Sequence, residues 1–170
     1  LAKLVWKAAN HVVKAAPKVM AWLKSAAVLA AKEELPIHWT TPAGLPVLQE
    51  YLSFKERRIE TYIAGATVRF AIRGESTGLD RSSMASGIAP NFTHSCDAAH
   101  MMLTIRLFTD QVGEPAASFH MIHDSYGTHA ADAGLMARCL REAFIEQYEQ
   151  PVLERFRDQI AGQLCEESRE

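Results

Sequence analysis

The apolar residues of the first 35 positions recur with helical spacing. Lysines fall on one narrow face, and apolar residues form a broad face opposite, made up of Leu4, Val5, Val12, Val19 and Leu23. Pro17 lacks an amide hydrogen and collides with the preceding turn of a helix, so we expect a break there and a second helix from near Pro17 to about Glu34. The lysine stripe (Lys3, Lys7, Lys14 and Lys18) is most simply a solvated face, and a phosphate-tracking surface is the alternative.

After residue 35, polar and apolar residues alternate with a period of two, the spacing of β-strands. Residues 37–39 lie among prolines and predict a short strand entering a turn. Residues 58–63 and 67–73 alternate polar and apolar across Gly65, which predicts a β-hairpin with one wet face. The polar face is expected to carry Arg58, Glu60, Arg69 and Arg73. Residues 74–87, rich in Ser, Thr and Gly, are predicted to be a loop.

The second half of the chain predicts helices on either side of a strand and turn. A helix is expected over residues 95–108, with Ser95 as its N-cap and Asp97 in its first turn. Residues 118–128 read SFHMIHDSYGT, a short apolar run expected to be a strand buried on both faces that leads His123 and Asp124 into a Ser-Tyr-Gly turn. Residues 130–150 and 152–164 carry apolar stripes and predict two helices separated by Pro151.

Composition narrows the class of protein. With 170 residues, 48% hydrophobic and 22% charged, the chain has the composition of one ordinary domain or a compact piece of a larger one. Lysines interrupt the apolar N-terminal stretches too often for a membrane span or signal peptide, so we expect a cytoplasmic protein without membrane contact. Three widely spaced cysteines predict reduced, structural thiols and neither a disulfide framework nor a zinc knuckle.

Charge is segregated along the chain. The net charge of −2 gives no overall case for nucleic-acid binding. However, residues 55–81 contain six basic and four acidic side chains, a local charge of +2, whereas residues 141–170 contain eight acidic and four basic ones. The basic part therefore coincides with the predicted hairpin.

Asp124 is the first candidate for chemistry, because an acidic side chain at the mouth of a tight turn is held by its neighbours yet open to a metal ion. A hydrolytic metal site is an alternative, drawing on His94, Asp97, His100, His120, His123 and Asp124. The chain has no HExxH or similarly tight ligand motif. A capping Asp97, with histidines that face solvent or are satisfied in the core, is the simpler interpretation.

Four separated blocks identify a family resemblance: AWLKSAA (21–27), HWTTPAGLPVLQEY (38–51), SGIAPNFTHSCDAAH (86–100) and HDSYGTHAAD (123–132). In this order they closely resemble the C-terminal part of single-subunit, bacteriophage-type DNA-dependent RNA polymerases. The resemblance implies an α+β, mostly helical fold, with helices packed around a small antiparallel palm sheet and a protruding β-hairpin, as a fragment of a right-hand polymerase. It divides the chain into a helical segment (1–35), a specificity-type hairpin (52–74), a palm segment (86–132) and C-terminal helices (133–164).

The same resemblance implies site residues. Asp124 matches the second palm aspartate, which binds Mg²⁺ in two-metal nucleotidyl transfer. His123 matches the adjacent histidine, which we expect to support the RNA 3′ end, and His94 lies near the nascent base pair. Arg58, Glu60, Arg69 and Arg73 belong to the hairpin that enters the promoter major groove. Ser125, where the related DNA polymerases usually carry an acidic residue, favours an RNA polymerase.

The partners that the resemblance implies are promoter and template DNA, nascent RNA and ribonucleoside triphosphates. It also implies a protein that is encoded by a phage or prophage and acts in the cytoplasm of a bacterial host. The family's other metal-binding aspartate and its nucleotide-binding helix lie upstream of the matched region. The chain begins with Leu1 and stops at Glu170, so we expect a fragment that lacks the N-terminal part of the polymerase and is inactive alone. Two alternatives remain: the palm of a family A DNA polymerase, or a non-catalytic nucleic-acid-binding remnant.

Overall fold

The computed structural model of the chain describes residues 3–5, 8, 12–114 and 116–164. Helical residues outnumber strand residues in this part of the chain, as expected for a mostly helical α+β protein. The helices are α1 (Ala15–Lys32), α2 (Arg81–Val112), α3 (Ala133–Tyr148), which follows a short 3₁₀ turn (Ala130–Asp132), and α4 (Val152–Gln163). The strands are β1 (Ile37–Thr40), β2 (Pro46–Gln49), β3 (Leu52–Ile63), β4 (Ala66–Leu79), β5 (Phe119–Ile122) and β6 (Ser125–Thr128).

The strands form three separate antiparallel pairs: β1 with β2, β3 with β4, and β5 with β6. Within the described residues they do not join into the single small sheet that the resemblance implied. The reason is visible at β5 and β6, whose Met121 and Tyr126 pack against a helical cluster and not against another strand pair. Helices therefore support the β1–β2 and β5–β6 pairs separately, whereas most of the β3–β4 pair is exposed on both faces.

Helix α2 differs most from expectation. It spans 32 residues from Arg81, so the predicted loop over 74–87 and the predicted helix start at Ser95 are both wrong. Asp80 is the N-cap: its Oδ1 accepts from the backbone amides of Ser82 (3.0 Å) and Ser83 (3.2 Å). Residues 74–79 instead continue β4. A cap satisfies the otherwise free amides of the first turn, which lets a helix begin in a Ser- and Gly-rich stretch.

The first core gathers around Phe156 of α4. Its ring contacts Trp22, Trp39 and Phe92, with centroid separations of 6.2, 5.4 and 4.5 Å. Ser95 is buried here: its hydroxyl accepts from Trp39 Nε1 (3.0 Å) and donates to the Phe92 carbonyl (2.7 Å). Its role is therefore a hydrogen bond inside the core, not the predicted cap.

The second core consists of buried Phe108, Met136 and Cys139, with half-buried side chains of β5 and β6 packed against it. Met136, Cys139 and Phe144 all belong to the apolar stripe predicted over residues 130–150. Met136 and Cys139 are buried as expected, whereas Phe144 is 54% exposed. Burial, with the charge of Asp97 adding to it, raises the pKa of the Cys96 thiol to about 11. The described cysteines, Cys96 and Cys139, are free and buried, as predicted for structural thiols, and Cys165 lies outside the described residues.

The N-terminal prediction is correct on the C-terminal side of Pro17. Helix α1 begins at Ala15, so Pro17 lies in its first turn, where no intrahelical amide bond is lost. Leu23 is buried, but Leu4 and Val12 are 70% and 78% exposed. Of the predicted lysine stripe, Lys3, Lys14 and Lys18 are exposed, and Lys7 lies outside the described residues. Of the described helices, none is both long and apolar enough to cross a membrane.

Candidate active site and nucleic-acid interface

A two-residue turn presents His123 and Asp124. Strands β5 and β6 pair up to Ile122 and Ser125, which leaves only these two residues to reverse the chain. His123 has a φ of 53°, in the left-handed region that tight hairpin turns require. The predicted Ser-Tyr-Gly turn is therefore wrong, because residues 125–127 belong to β6. The predicted burial of the preceding strand on both faces is also wrong, since Ile122 is 54% exposed.

The turn faces one side of helix α2 across an open cleft of 610 Å³. His94, Asp97 and Met101 line it from α2, because residues three and four positions apart lie on one helical face. His123 and Asp124 line it from the hairpin. The fold thus brings His94 together with His123 and Asp124, which were predicted from a separate part of the sequence. Asp97, which was weighed only for the hydrolytic metal site, lies beside them.

Two of the six residues weighed for a hydrolytic metal site lie elsewhere. His100 is turned into the α2–α3 interface, where its Nε2 is 2.9 Å from the Leu140 carbonyl oxygen. His120 lies on β5 opposite Gly127 and does not line the cleft. Across the described residues, no three His, Cys, Asp or Glu side chains are arranged to hold a metal ion. The hydrolytic site is not assembled, and Asp97, in mid-helix, is not a cap.

The cleft nevertheless offers carboxylate oxygen, the ligand that hard divalent cations prefer. Asp97 and Asp124 are both exposed and line the same space. Their charges reach Tyr126 on β6, whose phenol pKa is raised mainly by burial and further by Asp97 and Asp124. Asp124 thus presents a carboxylate of the kind that a divalent cation prefers, but no group of three ligands surrounds it among the described residues.

The register of β3 and β4 confirms the predicted polar face of the hairpin. The expectation that only this face is wet is wrong, because Phe70 and Ile72 on the opposite face are 46% and 49% exposed. Glu60 pairs with Arg69, Glu56 with Arg73 and Arg58 with Ala71, so Arg58, Glu60, Arg69 and Arg73 share one face. Glu60 Oε1 accepts from Arg69 Nε at 2.5 Å. The Arg73 guanidinium lies over the Phe54 ring, 5.7 Å from its centroid. Both arginines are therefore held by neighbours on the ribbon, by which we mean β3, β4 and their turn.

The root of the ribbon is fixed to the helices by polar contacts that the sequence pattern does not reveal. Glu34 Oε2 accepts from the Leu79 amide at 2.7 Å, and Asn91 Nδ2 donates to Gln49 Oε1 (2.9 Å) and Tyr51 Oη (3.0 Å). Gly78 is the one local signal, because a Cβ there would lie 2.7 Å from the Glu34 carboxylate. The root of the ribbon is thus held by Glu34, which follows α1, and the chain that leads into β3 is tied at Tyr51 to Asn91 of α2.

Comparison with known proteins gives one family. The profile of the family described as DNA-dependent RNA polymerase matches residues 1–170. The chain is 39% identical over 184 residues to the DNA-directed RNA polymerase of Enterobacteria phage T3, and 40% identical over 181 residues to that of Enterobacteria phage K11. It is 37% identical over 184 residues to T7 RNA polymerase of Escherichia phage T7. Each comparison covers 98% of this chain and 20% of the relative, so the chain spans about a fifth of their length.

Proposed function

Because this chain belongs to the DNA-dependent RNA polymerase family, we propose that it forms part of an enzyme that copies a DNA template into RNA, with the His123–Asp124 turn in the active centre. The observation that carries the proposal is the cleft in which His94 and Asp97 of α2 face this turn. The whole activity belongs to a longer protein, since the chain spans 20% of its phage relatives.

In the proposed reaction the RNA 3′-hydroxyl attacks the α-phosphorus of a ribonucleoside triphosphate, and pyrophosphate leaves. Asp124 binds a divalent cation, which we propose to be Mg²⁺, through its exposed carboxylate. When bound, this ion supplies Lewis-acid stabilisation of the attacking and leaving oxygens. Asp124 alone is an incomplete site, so the rest of the polymerase contributes further carboxylate oxygen.

The histidines of the cleft are proposed to hold the RNA. His123 adjoins Asp124 in the turn, where its imidazole can donate a hydrogen bond to the RNA 3′ end. His94 lies across the cleft on α2, and we assign it a contact to the nascent base pair. Both side chains are exposed, as contacts to a substrate require.

The ribbon is proposed to read promoter DNA. A two-stranded ribbon fits the major groove, and arginine pairs bidentately with guanine. Arg58 is the first candidate for such a contact, since Arg69 is bound to Glu60 and Arg73 lies over Phe54. Glu60 can accept from cytosine N4 once Arg69 moves to a phosphate.

The proposed partners follow from these roles: promoter and template DNA, nascent RNA, ribonucleoside triphosphates and the remainder of the polymerase, in the cytoplasm of the host. We retain the division into a helical segment (1–35), a specificity hairpin (52–74), a palm segment (86–132) and C-terminal helices (133–164) as a proposal. The family match favours an RNA polymerase over the related DNA polymerases.

The test is Asp124→Asn in the full-length protein, on an RNA primer annealed to a DNA template with ribonucleoside triphosphates and Mg²⁺. Because metal coordination supplies several kcal/mol to the transition state, we expect the rate of nucleotide addition to fall by about 10³-fold, with unchanged binding of the primed template. Asp110→Asn, at an exposed carboxylate near the end of α2 that does not line the cleft, is the control and should remain fully active.

Other outcomes would separate the alternatives. An active Asp124→Asn variant refutes the metal role. Preferential addition of deoxynucleotides by the wild-type protein identifies a DNA polymerase. Salt-dependent DNA binding without any nucleotide addition identifies a non-catalytic binding module.

A further inference from the structure

Tyr126 ties the hairpin of the proposed active centre to the helices. It lies on β6 two residues after Asp124, pairs with Met121 across the hairpin, and is half-buried against the second core. Its hydroxyl is 3.3 Å from Nδ1 of His100 on α2. A polar contact therefore joins the strand that follows Asp124 directly to the helix that forms the other wall of the cleft.

His100 is itself fixed on both ring nitrogens. Its Nε2 is 2.9 Å from the Leu140 carbonyl oxygen, which can only accept, so Nε2 carries the proton. In the neutral ring Nδ1 then accepts from the Tyr126 hydroxyl. The ring also lies between Tyr126 and Phe144, edge to face with each, at centroid distances of 5.9 and 5.7 Å. The imidazole cannot turn without losing several of these contacts.

The hairpin needs such an anchor. With strands of four residues each, β5 and β6 form a ladder that is marginal by itself in water. Apolar packing of Met121 and Tyr126 against the second core is non-directional and permits sliding, whereas a hydrogen bond fixes position. The Tyr126 hydroxyl supplies this directional contact close to the turn.

We infer that the hydrogen-bonded chain from Leu140 through His100 to Tyr126 sets the position of the His123–Asp124 turn across the cleft. His100 and Tyr126 are then positioning residues for nucleotide addition. This inference rests on the proposed function, because it assigns the two residues a role in that reaction. It also replaces the metal-ligand alternative for His100.

The test compares Tyr126→Phe, which removes one oxygen and keeps the ring, with His100→Phe, which keeps ring packing and removes both hydrogen bonds. Tyr148→Phe is the matched control, since it removes a hydroxyl from a tyrosine on α3 that does not contact His100 or Tyr126 in this chain of bonds. All are made in the full-length protein. Nucleotide addition on the RNA-primed template is measured against Mg²⁺ concentration, and amide hydrogen exchange is measured over residues 119–128.

A misplacement of about 1 Å in a reacting group costs up to roughly 10²-fold in rate, so we expect Tyr126→Phe to slow addition by about 10-fold. The Mg²⁺ concentration for half-maximal rate should rise, and amides of residues 122–126 should exchange faster while those of α1 do not change. Primed-template binding should stay at the wild-type level. The double variant should be no slower than the worse single variant, because both remove one linkage.

Wild-type Mg²⁺ dependence and wild-type exchange in Tyr126→Phe would overturn the inference. If His100→Phe loosens the whole second core, Tyr126→Phe decides the inference, because it retains every ring atom. Asp124→Asn, measured in parallel, separates failure of this inference from failure of the proposed function. If Asp124→Asn is inactive and Tyr126→Phe is unaffected, the proposed function stays intact. An active Asp124→Asn removes the proposed function itself.

Discussion

Asp80 decides where the longest helix begins. Hydrogen bonds from Ser83, first through its hydroxyl at 2.8 Å and then through its amide, hold the pKa of the Asp80 carboxyl below its usual range. A carboxyl whose pKa is lower in the folded state stabilises the fold. This stabilisation is fully present above the pKa of the unfolded state, about 4, and is lost as the pH falls through the pKa of the folded state. The cap is thus strongest at neutral pH.

We therefore predict that Asp80→Ala lowers the midpoint of thermal unfolding at pH 7 and that this deficit shrinks below about pH 4. Asp80→Asn keeps a capping oxygen but does not titrate, so it should lose less stability at pH 7 and show no added pH dependence at this site. An Asp80→Ala deficit that is constant from pH 7 to pH 3 would contradict the role of the ionised carboxylate.

Some site residues could be predicted from the sequence alone. The sequence blocks around His123 and Asp124 resemble one polymerase family, and this resemblance identifies the two residues as site candidates. Ser95 is wrongly predicted as a helix cap. The sequence around a serine is the same whether its hydroxyl caps the amides of the next helical turn or, as here, accepts from Trp39 Nε1 across the core. The bond from Tyr126 to His100 joins residues 26 positions apart, and no local pattern signals it.

At the scale of elements, the ribbon is the most predictable part of the chain. Alternation with a period of two assigns Arg58, Glu60, Arg69 and Arg73 to one face, and the register of β3 and β4 confirms it. The pattern does not predict its far end, because β4 continues to Leu79 through residues that usually form loops. Glu34, which lies far away in sequence, accepts from the Leu79 amide, and the Asp80 amide donates to the Tyr51 carbonyl oxygen, so both contacts stabilise this extension.

For the ribbon we predict that Arg58→Ala weakens binding to the duplex that the full-length protein selects from a random DNA pool by about 1–3 kcal/mol, the usual worth of a bidentate arginine–guanine pair. Binding to unselected duplex should change little. Arg138→Ala, at an exposed arginine of α3, should bind both duplexes like wild type. Equal weakening on both duplexes would show that Arg58 contacts phosphate and does not read a base.

At the scale of the whole molecule, α2 connects the two cores. Its Met84 and Ile88 belong to the first core and its Phe108 to the second, while His94 and Asp97 between them line the cleft. Helical periodicity alone does not predict a single helix of this length, because Pro90 and the Ser-rich start resemble breaks. Tertiary burial on both sides stabilises it despite these residues.

We propose above all that the His123–Asp124 turn holds a divalent ion of a nucleotidyl-transfer centre. The most direct measurement replaces Mg²⁺ by Fe²⁺ in the full-length protein and maps where peroxide-generated radicals cut the polypeptide, since they act next to the bound ion. We predict cuts within the β5–β6 hairpin at residues 122–126 that excess Mg²⁺ suppresses and that Asp124→Asn abolishes. Cuts confined to other segments, or hairpin cuts that persist in Asp124→Asn, would contradict the claim.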